Sequence, residues 1–358
     1  MSQTKRLPFI SICTPTFNRR PFIPFIIKCI QNQTYPKDKI EWIIIDDGFD
    51  KIGDLVAGLP FVKYYSYETK MTLGKKRNIM HEKSGGSIII YMDDDDYYPP
   101  ERISHAVETL LANPSALCAG TSEMYIYFKH IQKMYQFGPY GPSHSTAASF
   151  AFRRELLKQT KYDDTACLAE EKQFLKNYTI PFVQLDPLKT IFVISHLHNS
   201  FDKKKVLNEP SKFVNESTKQ IEDFIKEPDM RQFFIEDVDS LLELYEPGDP
   251  KYKPDVILQT KRLADERDQK IEEHRQSEIY KMGERMKEYA NNLETQYKKM
   301  LDDKTYLCAK ILKRNKELID TNIEYEAIIA IRDATIVIQE AKITEYEMKH
   351  GYNCVNSI

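Results

Sequence analysis

The sequence predicts an α/β protein built on a mostly parallel sheet flanked by helices, followed by a long α-helical region. Three observations carry this. Short apolar runs alternate with helical patterns over residues 1 to about 200. One of them, Ser87-Ile88-Ile89-Ile90-Tyr91-Met92, is apolar almost throughout, as a strand covered on both faces must be. Beyond the breaker Glu246-Pro247-Gly248-Asp249-Pro250, residues 255 to about 348 hold no proline and one glycine, Gly283, which suits uninterrupted helix.

The elements follow in order. Residues 9–14 read as a first strand and 22–32 as a helix. Residues 41–46 form a second strand, and 62–65 a shorter third. A helix over 75–81 leads into the strand at 88–92. Pro100 suits the first turn of the next helix, 101–112, because its fixed φ is already helical. A later apolar strand covers 190–194, and 206–250 look helical but irregular. In the last region Ile279, Met282, Met286, Tyr289 and Leu293 step by three and four residues. Tyr297, Met300, Leu307, Ile311, Leu318, Tyr325 and Ile328 continue this narrow stripe, the pattern of a coiled-coil seam. The expected organisation is therefore an α/β domain over 1–205, a helical linker over 206–250, a coiled coil over 251–350 that pairs two copies, and a tail over 351–358.

Composition narrows the function. A chain of 358 residues with a net charge of −3 has no global basic field to attract nucleic acid. Its six cysteines form no CxxC pair and no metal-ligand spacing, which suits a reducing compartment without disulfides. The amino-terminal residues do not read as a signal peptide, and no run approaches the length of a membrane span. The expectation is a soluble, cytoplasmic protein.

The chemistry concentrates at strand ends. Asp93 to Asp96 follow the Ile88 strand directly, at the carboxyl edge where open α/β sheets bind ligands. Crowded carboxylates repel one another unless a cation neutralises them. Hard ions such as Mg²⁺ or Mn²⁺ take oxygen ligands, often one or two carboxylates plus substrate phosphates. Asp46-Asp47-Gly48 ends the second strand, where a carboxylate can accept from a ribose hydroxyl or a base N–H. Gly74-Lys75-Lys76-Arg77-Asn78 opens a helix, and helix starts attract phosphate. Taken singly, each is equally a polar turn or a solvated helix start.

Taken together, Pro15-Thr16-Phe17-Asn18-Arg19 after the first strand, Asp46-Asp47-Gly48, Arg77-Asn78, and Asp93-x-Asp95-Asp96-x-x-x-Pro100 stand in one order. In that order they resemble the family 2 nucleotide-sugar glycosyltransferases, which have the GT-A fold. Phe17 stands where that family usually has Tyr, and Phe49 where it has Ser. The resemblance implies that Thr14, Pro15 and Asn18 line the nucleotide pocket, that Asp46 or Asp47 holds the base or ribose, and that Arg77 contacts the nucleotide. It implies Asp95 as the direct ligand of Mn²⁺ or Mg²⁺, with Asp93 and Asp94 beside the metal and ribose and His198, ahead of His196, as a late ligand. Residues 149–156 resemble the family's apolar strand and Arg-Arg-Glu turn. After them, Glu171 takes the place of the general base and Glu170 lies nearby to hold the acceptor. The implied activity is inverting transfer from a UDP-sugar to an acceptor hydroxyl. The loop over 137–144, rich in Gly, Pro and aromatic residues, suits an acceptor lid. Two readings compete. One is a non-catalytic, nucleotide-binding coiled-coil scaffold. The other is a sugar nucleotidyltransferase, disfavoured by the lack of glycine in Thr14-Pro15-Thr16-Phe17-Asn18.

Overall fold

A computed structural model of the protein describes residues 7–199, 202–207, 211–300, 313–314, 316 and 326–350. The chain divides into two compact units, residues 1–262 and 263–358.

The first unit is organised by β1 (Ile10–Thr16), β2 (Ile40–Asp46), β3 (Val62–Ser66) and β4 (Ile88–Tyr91). They lie parallel in the order β3-β2-β1-β4. β1 and β2 are buried at every residue, which explains their mostly apolar runs; among the polar exceptions, Ser11 and Glu41 bond to each other across the two strands. The sheet extends through β8 (Ala151–Arg153), antiparallel to β4, and then β5 (Cys118–Gly120) and β9 (Phe182–Gln184). A second sheet, in the order β10-β6-β7-β11, joins β6 (Met124–Phe128), β7 (Lys133–Phe137), β10 (Val193–Ser195) and β11 (Val214–Glu216). The mostly parallel sheet flanked by helices is the one the sequence predicts, with β8 as the antiparallel exception.

Helices α1 (Ile23–Gln31), α2 (Gly53–Val56), α3 (Leu73–Lys83) and α4 (Arg102–Ala112) cover the parallel strands. The short α5 (Glu171–Phe174) follows β8. Beyond β11 come α6 (Ile221–Phe224), α7 (Pro228–Arg231) and α8 (Val238–Glu243), the last two joined by a π-helical stretch, Gln232–Asp237. The expected helical linker at 206–250 thus packs into the first unit. Its Phe224, Ile225, Met230, Phe233, Phe234, Val238 and Leu242 join the main core with β1, β2 and α1. A π-turn breaks the 3.6-residue period, so the neighbours Phe233 and Phe234 can both be buried. That is why the segment reads as irregular.

The sheet edge is tied together by polar groups. The Thr14 hydroxyl donates to the Met92 carbonyl at 2.6 Å and accepts from Trp42 Nε1 at 2.8 Å, linking β1, β2 and the end of β4. Arg102, fully buried, donates to the carbonyls of Ser149 and Phe150 at 2.8 and 2.9 Å. It fixes the start of α4 against the turn before β8.

α9 (Pro254–Met300) begins in the first unit and runs into the second. Along it Met282, Met286 and Tyr289 are 46%, 52% and 63% exposed. A further helix spans Glu326–His350. The seam positions Leu307, Ile311, Leu318 and Tyr325, and the tail 351–358, lie outside the described residues. No helix among the described residues is long and apolar enough to cross a membrane.

Thr14→Val removes a buried hydroxyl and leaves Trp42 Nε1 without its acceptor. Urea unfolding should show a loss of about 1–3 kcal/mol with an unchanged m-value.

Candidate active site

β1 and β4 are neighbours, yet β1 connects onward to β2 on its other side. This is a topological switch point, and the crevice outside such strand ends is the natural ligand site. A cavity of about 300 Å³ opens there, with Pro15, Phe17, Arg19, Lys76, Asp93–Asp96 and Asn199 among its lining residues.

The acids are held by cations from two sides. Arg19 Nη2 lies 3.3 Å from Asp95 Oδ2, and its Nε is 3.7 Å from Asp94 Oδ1. Arg77, 1% exposed, donates from Nε to Glu170 Oε1 at 2.9 Å, and its Nη2 is 3.8 Å from Asp93 Oδ2. Its guanidinium also stacks over the Tyr91 ring at 4.3 Å. Burial disfavours charge on Arg77, but Asp93 and Glu170 outweigh it and hold its pKa well above the usual range.

The four aspartates respond differently. Burial, reinforced by Asp95, pushes Asp94 up to about 7 and Asp96 well above the ordinary carboxylate range. Burial also raises Asp93, against the pull of Arg77. Asp95 is likewise disfavoured by burial, but Arg19 and His196 prevail and hold it well below the usual range. Asp95 is therefore the member held most firmly ionised. Asp93 Oδ1, Asp94 Oδ2 and Asp96 Oδ1 are buried without a hydrogen-bond partner.

That pattern fits a hard divalent cation: oxygen donors, excess buried negative charge and orphaned lone pairs. Among the described residues no three His, Cys, Asp or Glu side chains converge on one point. The set suits an ion held by one or two carboxylates and completed by substrate phosphates.

The two histidines divide. His196 Nε2 lies 3.2 Å from Asp95 Oδ2, and its Nδ1 accepts from the His198 N–H at 3.2 Å. Nε2 also lies 2.8 Å from Asn199 Nδ2, whose amide is fixed by its Oδ1 accepting from the His196 N–H. Burial lowers the His196 pKa to about 3, so it is neutral. His198 offers Arg19 Nη2 its main-chain carbonyl at 2.7 Å, while its Nδ1 is buried without a partner. The histidine against the acids is thus His196, which the sequence reading ranked behind His198.

The nucleotide candidates are also engaged. Thr14 is taken up in the sheet, as above. Asp46 Oδ1 accepts from the Gly48 N–H at 2.9 Å, and its Oδ2 accepts from Ile52 N–H and Tyr64 OH at 3.1 and 2.7 Å. Asp47 accepts from Lys76 Nζ at 2.8 Å and the Met71 N–H at 2.5 Å. Asn18 adopts a left-handed φ of 53° and accepts from the Asp50 N–H at 3.1 Å. A Cβ on Gly48 would fall 2.5 Å from Asn18 N and Oδ1, so only glycine lets these two loops meet. Pro15 lines the cavity directly. At the start of α3, Thr72 caps the Lys75 N–H and the Gly74 N–H donates to the Ala166 carbonyl, so the chain itself uses those donors.

Glu170 and Glu171 part company at the start of α5. Glu170 turns inward to Arg77, after Ala169 at a φ of 54°. Glu171 is half-buried, and burial, then Glu170, pushes its pKa up to about 7. Nearby, the rings of Tyr140 and His144, and of His144 and Tyr178, lie 4.8 and 5.0 Å apart.

Comparison with known proteins follows the same residues. Residues 11–172 match the model of Glycosyl transferase family 2. No curated protein sequence matches the chain. Among solved structures, S. aureus TarS 1-349 aligns at 19% identity and a TM-score of 0.43, covering 52% of this chain and 60% of that one. The Pyrobaculum calidifontis mannosyltransferase PcManGT, solved with GDP-Man and Mn²⁺, aligns at 17% identity and a TM-score of 0.41, covering 51% and 55%. S. aureus TarS 1-349 in complex with UDP aligns at 18% identity and a TM-score of 0.43, covering 65% and 74%. The chain thus spans less than two thirds of the first two of these structures.

Arg77→Met strands the buried carboxylates of Glu170 and Asp93 without a counter-charge. Urea unfolding should show a loss of about 3–5 kcal/mol.

Proposed function

We propose, from the match of residues 11–172 to the model of Glycosyl transferase family 2, that the protein is an inverting, metal-dependent glycosyltransferase moving a sugar from a nucleoside diphosphate, UDP first, to an acceptor hydroxyl. The observation that carries this is a cation-hungry acid cluster, Asp93–Asp96, together with a half-buried carboxyl of raised pKa, Glu171, at the start of α5. One group suits the leaving diphosphate and the other the incoming hydroxyl.

Asp95, with Asp93, would hold Mn²⁺ or Mg²⁺, and His196, its Nε2 3.2 Å from Asp95 Oδ2, braces that carboxylate. A bound divalent ion supplies Lewis-acid neutralisation of the charge growing on the leaving diphosphate. Pro15 lines the nucleotide side, and Asn18 and Asp47, the latter held by Lys76 just beyond β2, brace it.

Glu171 takes the proton from the acceptor hydroxyl as its oxygen bonds to the anomeric carbon. The bond from that carbon to the diphosphate oxygen breaks, and its electron pair leaves with the diphosphate. Attack from the face opposite the leaving group inverts the configuration. With a pKa near 7, Glu171 is a base matched to neutral pH. Arg77 holds Glu170 turned away through its Nε, so the two adjacent glutamates take separate tasks.

For assembly, the seam residues Ile279, Met282, Met286, Tyr289 and Leu293 of α9, of which Met282, Met286 and Tyr289 are exposed, support a homodimer through a coiled coil.

Three measurements test this. Nucleoside diphosphate release from UDP-sugars should require Mn²⁺ or Mg²⁺ and should fall by about 10²-fold or more in Asp95→Asn; a fully active Asp95→Asn would refute the metal assignment. With the unsubstituted enzyme, kcat/KM should rise about tenfold per pH unit and level off near pH 7, as Glu171 loses its proton. Glu171→Gln should abolish both the turnover and that inflection, and an unchanged profile would exclude Glu171 as base. Light scattering on the full chain should give twice the chain mass, and Met282→Glu with Met286→Glu should return it to the monomer; a monomeric unsubstituted protein would exclude the coiled-coil pairing.

A further inference from the structure

We propose that Lys253, which lies outside residues 11–172, is a ligand of the donor's diphosphate, so that the segment leading into α9 completes the donor pocket. The inference rests on the donor reading given above.

The segment over 245–259 is fastened across the mouth of the site. Tyr245 OH donates to Asp50 Oδ2 at 2.6 Å, and Asn18 Nδ2 donates to the Pro247 carbonyl at 2.8 Å. Gly248 lies so close to His198 that a Cβ there would meet Nδ1 at 2.4 Å. Lys70 Nζ pairs with both carboxylate oxygens of Asp255 at 2.5 Å. Gln259 Oε1 accepts from the Cys167 and Leu168 N–H groups at 2.6 and 2.7 Å, just before Glu170. These anchors reach both the loop after β1 and the loop before α5, so the segment is part of the site's wall.

Lys253 sits between the anchors. It is 7% exposed, yet it lines the same cavity as Asp93–Asp96 and Arg19. Its ammonium lies 5.9 Å from the centre of the Phe17 ring, on which Lys70 and Lys76 also converge at 5.4 and 6.0 Å. Burial, then Arg19, holds the Lys253 pKa well below the ordinary lysine range against the pull of Asp95 and Asp94, so Lys253 lies in the field of both the acids and Arg19. The cavity therefore has an acid wall suited to a cation and a basic wall suited to an anion. A pyrophosphate bridged to a divalent ion is the chemical group that matches both walls.

Calorimetry with UDP, GDP, uridine and guanosine, all with Mn²⁺, separates the outcomes. Lys253→Met keeps the side-chain length in a buried place, and Lys253→Gln serves if it does not fold. Either should weaken binding of the favoured nucleoside diphosphate by about tenfold or more while leaving its nucleoside unchanged. Lys253→Arg, which keeps the charge, should restore most of the loss. If diphosphate and nucleoside weaken by the same factor, or neither weakens, Lys253 is only structural and the inference fails alone. If the unsubstituted protein binds neither diphosphate, the donor reading fails and takes this inference with it.

Discussion

Excess negative charge, buried at the end of one strand, is the constraint around which the first unit is arranged. Asp93 to Asp96 cannot all ionise in so dry a place. Arg19 reaches them from the loop after β1, Arg77 from α3, and His196 from the loop after β10. Each of those groups is itself buried and needs its acid partner. The result is a network in which removing one member strands another, and in which Asp95 alone is held strongly ionised.

The fold supplies that arrangement cheaply. A parallel sheet aligns the carboxyl ends of β1, β2 and β4, so Asn18, Asp46, Asp47 and Asp93 arrive at one edge. The motifs divide the labour: some residues face the cavity and others brace those that do. Asp46 spends its oxygens on Gly48, Ile52 and Tyr64, shaping the turn that presents Asp47. Thr14 spends its hydroxyl on the sheet, so that β4 ends where Asp93 begins. A motif residue therefore need not touch a ligand to be required at its position.

Much of this was legible in the sequence, for physical reasons. Strands covered on both faces must be apolar throughout, and so β1, β2 and β4 stood out. Pro100 marked the start of α4 to within two residues, because its ring presets the first helical turn. Local patterns could not rank His196 against His198, since both follow β10; the turn closed by Asn199 decides which ring meets Asp95. Nor could they reveal that 211–250 completes the core, because a π-turn scrambles the helical period there. Lys253 and Asp255 were invisible as site residues for a different reason. Their partners Phe17 and Lys70 are far away in the chain, and a breaker-rich stretch beside a long helix reads as a boundary.

The central claim is that a divalent cation and a nucleoside diphosphate are bound jointly by these acids. Its most direct test is the electron paramagnetic resonance signal of free Mn²⁺ titrated against the protein with and without UDP or GDP. The account predicts that the free signal falls markedly only when a diphosphate is present, and that Asp93→Asn with Asp95→Asn abolishes the fall. Uptake that ignores the nucleotides, or that survives loss of both aspartates, would contradict it.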